Sequence, residues 1–318
     1  MYGGPMKFCN IKKVVILCSL LVMPSVFPWL DYIDIDTCSP ILIKTLKMRF
    51  CYISFVNIDG TEYIVKQKKS DCLRKLLGVV RDTLMAHLAE GFIPAHRVGL
   101  IRAGKKFIGK KYDNWPATIH TIAPGKMLKA QNSPYNGMNL KQRDTGFVRE
   151  MLSWMLEDDV LMRLVAFDLV FCNHDRHRGN LFYDLKTDKF CAIDMDSSFK
   201  YNLCAFACKN FEKMLASKHF YLKSKEIKAL VALKGYLQFL IDNYKPKNTI
   251  QLYEDFAVKA GFVEGSDIYI PKFVDEMIDN KRMIARSYED AQKFVQLLEI
   301  AITRARKRRE VLAAIRKN

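Results

Sequence analysis

Apolar and polar positions alternate from Cys51 to Val56 (CYISFV), a run rich in β-branched and aromatic residues. That alternation predicts a half-buried strand. Asn57, Ile58, Asp59 and Gly60 supply turn residues, and Tyr63 to Lys66 (YIVK) completes a hairpin. From Asp71 to Glu90 the period lengthens. Leu73, Leu76, Leu77, Val80, Leu84 and Leu88 recur at helical spacing, and Gly91 and Pro94 end the helix. Val98 to Ile101 and Lys106 to Lys110 read as another hairpin, turning at Ala103-Gly104.

Residues 126 to 146 are polar, with Pro134, Gly137 and Gly146, and read as a linker. Helical pattern resumes at Phe147 with Met151, Leu152, Trp154 and Met155, and breaks at Glu157 to Asp159. Val160 to Phe171 is apolar almost all round, the mark of a buried helix. Beyond Phe199 the chain is predominantly helical, and its longest amphipathic stretches are Ile227 to Ile241 and Ala291 to Ile315. The order of elements predicts an α+β fold of two lobes. A strand-rich N-lobe spans 31–125, and a helical C-lobe spans 126–318.

Residues 1–30 stand apart. Lys7, Lys12 and Lys13 precede the apolar run Val14 to Met23, then Pro24 and Ser25. This has the charged and apolar regions of a signal peptide, but Val26, Phe27, Pro28 and Trp29 make a poor cleavage site. A secretory signal and a buried first strand both stand as readings, and with them a secreted or a cytoplasmic location.

Composition changes the picture in two places. The 318 residues are 50% hydrophobic, enough for a sizeable core, and no uninterrupted apolar run reaches the length of a membrane span. Lys and Arg number 51 against 34 Asp and Glu, a net charge of +17 that favours polyanionic partners. No helix-turn-helix, zinc-finger or RNA-binding motif accompanies the charge, so nucleic acid is not the expected partner. Arg304, Arg306, Lys307, Arg308 and Arg309 form a basic run near the end of the last helix. It reads as a solvated face or as a dock for an anionic membrane. The nine cysteines contain no C-x-x-C pair. Cys51, Cys172 and Cys191 lie in apolar runs, and Cys204 and Cys208 share a helix face, so packing is their expected role.

The densest polar segment follows the apolar helix: Asn173-His174-Asp175-Arg176-His177-Arg178-Gly179-Asn180. Asp194 comes fourteen residues after Asn180, behind Ala192-Ile193, and Asp196 follows. Phosphoryl transfer needs a carboxylate to take a proton, oxygen ligands for Mg²⁺ and a cation on the phosphates. Asp175, Asn180, Asp194 and a lysine from the first lobe are that set, and hard oxygen donors suit Mg²⁺.

This D-R-H-x-x-N loop followed by Ile193-Asp194 resembles the catalytic loop and metal-binding element of the HipA-like kinases and of the phosphoinositide 3-/4-kinase group. Both place Asp-Arg-His where ordinary protein kinases have His-Arg-Asp. The resemblance covers roughly residues 50 to 200 and implies a bilobal kinase-like fold binding ATP and Mg²⁺. It implies Asp175 as catalytic base and Asn180 and Asp194 as Mg²⁺ ligands, with Arg176 and His177 organising the loop. Gly60 to Lys66 resembles the strand that brings a lysine to the α/β-phosphates. Asp82 is then the helix acid paired with Lys66, and Glu90 the fallback. Ile93-Pro94-Ala95 resembles the family's link to the next strand.

Departures accompany these similarities. No Gly-rich run precedes Lys66, so Ser39 to Arg49 is left to supply any phosphate-covering loop. Met195 stands where ordinary kinases have glycine, which makes Asp196 an alternative or additional metal ligand. The expected acceptor is a protein serine or threonine, with a phosphoinositide as the alternative. A nucleotide-binding pseudokinase is a further reading. Trp115 to Gly125 reads as an adenine-side wall or as core or loop packing.

Overall fold

The Asn57–Gly60 turn forms as its residue types require. Asp59 and Gly60 adopt φ of 49° and 83°, and the Asn57 side-chain oxygen accepts from the Gly60 amide at 3.0 Å. Two successive left-handed residues match the twist of a two-residue hairpin. In a computed structural model, residues 33–34, 41–48, 51–68, 76–102, 116–128, 146–217, 220–262 and 271–315 are described. The expectations for residues 1–30, Lys69, Cys72, Leu73, Ala103-Gly104, Lys106 to Lys110, Trp115, Pro134 and Gly137 lie outside them.

The strands are β1 (Ile33–Asp34), β2 (Ile41–Lys47), β3 (Cys51–Ile58) and β4 (Thr61–Lys68). Helix α1 (Gly78–Ala89) follows, then β5 (Val98–Arg102), β6 (Pro116–Thr121) and β7 (Lys126–Met127). Helices α2 (Gly146–Glu157) and α3 (Asp159–Val170) lead to the hairpin β8 (Leu181–Asp184) and β9 (Lys189–Ala192). The chain ends in α4 (Leu203–Ala216), α5 (Ser224–Asn243), α6 (Pro246–Lys259) and α7 (Pro271–Ile315). This is the two-lobed α+β arrangement that the pattern predicts. No helix among the described residues is long and apolar enough to cross a membrane.

Six strands form one sheet in the order β1-β5-β6-β4-β3-β2. Two segments that the pattern leaves open take their places in this sheet. Ile41 to Lys47 is an exposed edge strand, antiparallel to β3. Its β-branched Ile41, Ile43 and Thr45 favour extended backbone over a loop. Pro116 to Thr121 is an inner strand between β4 and β5, with Ala117 and Ile119 packed in the sheet's core. Pro116 is its first residue, where a missing amide is tolerated.

The sheet's two faces separate by strand alternation. Val56, Ile58, Val65, Ile101, Ala117 and Ile119 form a small core on one face. On the other, Lys66 lies opposite Thr118, and Thr118 opposite Leu100, which packs in the main core with α1. That main core runs on through α2 to α7. Each fully buried Leu or Phe in it contributes about 1.5–3 kcal/mol. The lobes are stitched behind α1, where the Ala192 amide donates to the Pro94 carbonyl at 2.8 Å.

Candidate active site

Helix α3 ends in a turn that aims the polar loop. The Asn173 amide donates back to the Asp168 carbonyl at 2.9 Å, and the Cys172 amide to that of Leu169 at 3.4 Å. Cys172 takes φ 54°, the left-handed position that glycine usually fills in this motif. A non-glycine residue there costs of order 1 kcal/mol. Packing opposes that cost, because Cys172 is completely buried.

The loop is then fixed from inside. Arg176, 1% exposed, donates to both Asp168 oxygens, from Nε at 3.0 Å and Nη2 at 3.3 Å. Its Nη1 donates to the carbonyls of Asn180 at 3.2 Å and Ile193 at 2.9 Å. One guanidinium therefore holds the Asp175 loop and the Asp194 segment together. The Asn180 side-chain amide donates to the Asp175 carbonyl at 2.9 Å, leaving its oxygen as the atom for a ligand. Asp175 itself is exposed.

Lys66 reaches this loop from the sheet. Its ammonium lies 2.5 Å from Asp194 Oδ1, 3.3 Å from Asp196 Oδ2 and 3.9 Å from Asp82 Oδ2. Asp82 is the lysine's neighbour from α1, and it also accepts the Met195 amide at 3.0 Å. Glu90 caps the far end of α1 and is exposed. Both Asp196 oxygens are engaged. Oδ2 takes Lys66 and Lys68, and Oδ1 accepts from the Ser197 hydroxyl at 3.2 Å. Asp194 sits at φ 55° with its side chain 39% exposed, so it is the more accessible of the two.

Electrostatics follow from this crowding. Burial pulls the Lys66 ammonium down, and Asp196, Asp194 and Asp82 more than reverse it, leaving its pKa well above the usual value. Burial raises the Asp196 carboxyl, and Lys66 and Lys68 outweigh that and hold it well below its usual range.

Three carboxylates (Asp82, Asp194, Asp196) face two ammonium groups, which leaves one negative charge over. Among the described residues no three His, Cys, Asp or Glu side chains form a metal cage. The donors fit Mg²⁺ in another way, since it is commonly held by one or two carboxylates together with substrate phosphates. Asp194 and the Asn180 oxygen are such donors.

Several participants escaped the sequence reading. Lys68 is two residues from Lys66, so strand alternation puts both on one face, a signal present in the sequence. Arg81 is fully buried and donates to the Asp196 carbonyl at 2.9 Å. His120 and His96 lie behind Asp82. Their ring nitrogens are 3.1 Å apart, and His120 Nε2 is 2.6 Å from the Thr118 hydroxyl and 3.8 Å from Asp82. No local pattern marks these two as partners.

Burial pushes the His96 pKa down to about 4, with Asp82 and Asp194 opposing and Lys66 and Arg176 assisting. Burial, then His96 and Lys66, push His120 well below its usual value. Both rings are neutral in the fold and titrate near 6.5 when unfolded. Between about pH 6.5 and 4 the unfolded chain binds more protons, so stability falls as pH falls. The expected loss at pH 5 is roughly 2 kcal/mol from His96, and His120 acts in the same direction. Urea midpoints at pH 7 and pH 5 check this, and the difference shrinks in His96→Leu.

The structure is similar to that of the Helicobacter pylori proinflammatory kinase CtkA, with a TM-score of 0.44 and 12% sequence identity. The match covers 87% of this chain and 99% of that one. No protein-family model matches the sequence, and no curated relative does. The functional reading therefore rests on the site's own residues.

Proposed function

We propose that this protein is an ATP- and Mg²⁺-dependent phosphotransferase whose acceptor is a hydroxyl group. The observation that carries the reading is the meeting of Lys66 with Asp194, 128 positions later, beside the exposed Asp175. A cation, a pair of oxygen donors and an exposed carboxylate on segments tied together through Arg176 are the parts that phosphoryl transfer requires.

In this reading Asp175 takes the proton of the acceptor hydroxyl as its oxygen bonds to the γ-phosphorus. The bond from γ-phosphorus to the bridging oxygen breaks, and ADP leaves. Lys66 steadies the non-reacting phosphates, and Asp82 and Asp196 hold Lys66 in place. Asn180 and Asp194 would hold Mg²⁺, which when bound neutralises charge on the phosphates. Arg176 takes no part in proton transfer, because its donors are spent on Asp168, Asn180 and Ile193. A protein serine or threonine is the proposed acceptor, following the HipA-like resemblance of the loop.

The test is incubation of the purified chain with γ-labelled ATP and Mg²⁺, with label followed to the chain itself, to a protein acceptor and to phosphoinositide vesicles. Transfer that needs Mg²⁺ is the expected result. ATP binding without any transfer would leave a pseudokinase, and no ATP binding would end the reading.

A further inference from the structure

Lys68 has no part in the chemistry proposed above, yet it lies deeper than Lys66. Its side chain is 7% exposed against 13% for Lys66, and strand alternation puts both on one face of β4. A lysine buried this far needs a counter-ion. Lys68 has one in Asp196, whose Oδ2 accepts from its ammonium. The same oxygen also accepts from Lys66, at 3.3 Å. One carboxylate oxygen is therefore shared by two lysines.

Asp196 is fixed from several sides. The buried Arg81 donates to its carbonyl at 2.9 Å, and the Ser197 hydroxyl to its Oδ1 at 3.2 Å. Gly78, the first residue of α1, leaves room for the pair. A Cβ there would lie 3.3 Å from Asp196 Cβ and 3.6 Å from both Asp196 Oδ2 and Lys68 Cε. The first turn of α1 carries no acidic residue and no side-chain cap, so the Asp196 carboxylate supplies negative charge beside its positive end. Asp196 and Lys68 are thus packed together against a helix start.

Lys66 has the opposite requirement. To reach nucleotide phosphates it must loosen its hold on carboxylates. Asp194 is 39% exposed and can exchange partners, whereas Asp196 is 16% exposed, and a buried charge left without a partner is costly. We propose that Lys68 is a positioning residue that stays on Asp196 as its permanent counter-ion, and so releases Lys66 to the phosphates of ATP. Without Lys68, Lys66 would be the one ammonium of the pair left to face Asp82, Asp194 and Asp196. The carboxylates would then hold Lys66 back and repel the phosphates. The assignment rests on the phosphotransfer reading and deepens it. Asp196 becomes a fixed counter-ion in place of a Mg²⁺ ligand.

The experiment measures ATP dissociation constants by equilibrium dialysis, with and without Mg²⁺, on the full chain. The samples are wild type, Lys68→Met, Asp196→Asn and Lys68→Met/Asp196→Asn, each with a urea midpoint. Loss of Lys68 should weaken ATP binding about tenfold where Asp196 is present, because an unbalanced charge in a site shielded from water is worth at least that. In the Asp196→Asn background the same loss should cost less than about twofold, since there is no carboxylate left to neutralise. An equal cost in both backgrounds would overturn the assignment and make Lys68 a direct contact of the nucleotide. Unchanged binding in Lys68→Met would overturn it too. If Lys68→Met alone does not fold, Asp196→Asn against the double variant still decides, because a tenfold cost there overturns the assignment and a cost under twofold supports it. Wild type that binds no ATP under either condition would bring down the phosphotransfer reading, and the role of Lys68 with it.

Discussion

Asp175→Asn lowers the rate of phosphoryl transfer by about 10²–10⁴-fold, the usual contribution of a positioned general base. The change is nearly isosteric. Asp175 is exposed, and its hydrogen bond to Asn180 is made by the backbone carbonyl, which the substitution keeps. Stability should stay within about 0.5 kcal/mol of wild type, as for other surface changes. Urea denaturation checks this beside the rate, so that lost activity is not mistaken for lost fold. Asp194→Asn is the companion variant. Asparagine tolerates the left-handed backbone at φ 55°, so the backbone is kept and the charge is lost. Its expected signature differs, with a higher Mg²⁺ concentration for half-maximal rate and a higher KM for ATP. Asp175→Asn at the wild-type rate would remove Asp175 from the role of base.

Asp168→Ala destabilises the protein by about 3–5 kcal/mol, because it leaves the Arg176 charge buried without its carboxylate. Both side chains are fully buried, and the two-point contact is the geometry in which arginine binds carboxylate most strongly. The loss falls on the site as well as on the fold, since the same guanidinium holds Asn180 and Ile193. The double variant Asp168→Leu/Arg176→Leu separates the two effects. Replacing both partners with apolar residues removes the unpaired charge, so its stability lies closer to wild type than that of Asp168→Ala. Its transfer rate stays low, because nothing then ties the Asp175 loop to the Asp194 segment. Urea midpoints and single-turnover rates on the three proteins distinguish these outcomes. A double variant with normal activity would show that Arg176 only stabilises the fold.

The local pattern alone specified the β3–β4 hairpin, the break at Asp158 and the buried α3. In each case the signal lies within a few residues. Asp59-Gly60 accepts left-handed backbone, the Asp158 side chain accepts the Val160 amide, and a helix apolar almost all round is driven inside. The spacing of Asp175, Asn180 and Asp194 was legible for the same reason, since loop and hairpin are contiguous in the chain. Pairings between distant segments were not legible. Arg81 meets Glu276 across 195 positions, and Lys66 and Lys68 meet Asp196 across 130 and 128. Periodicity tells which face of an element is buried, and only packing tells what that face meets. β6 escaped notice because an inner strand covered on both faces loses its alternation, and its sequence, PATIHT, carries a histidine, His120, that only the fold brings together with His96. The sequence by itself therefore determined the chemistry available along one loop. The tertiary structure decided which charges face that loop, because the energy of a buried charge depends on neighbours that the chain supplies from far away.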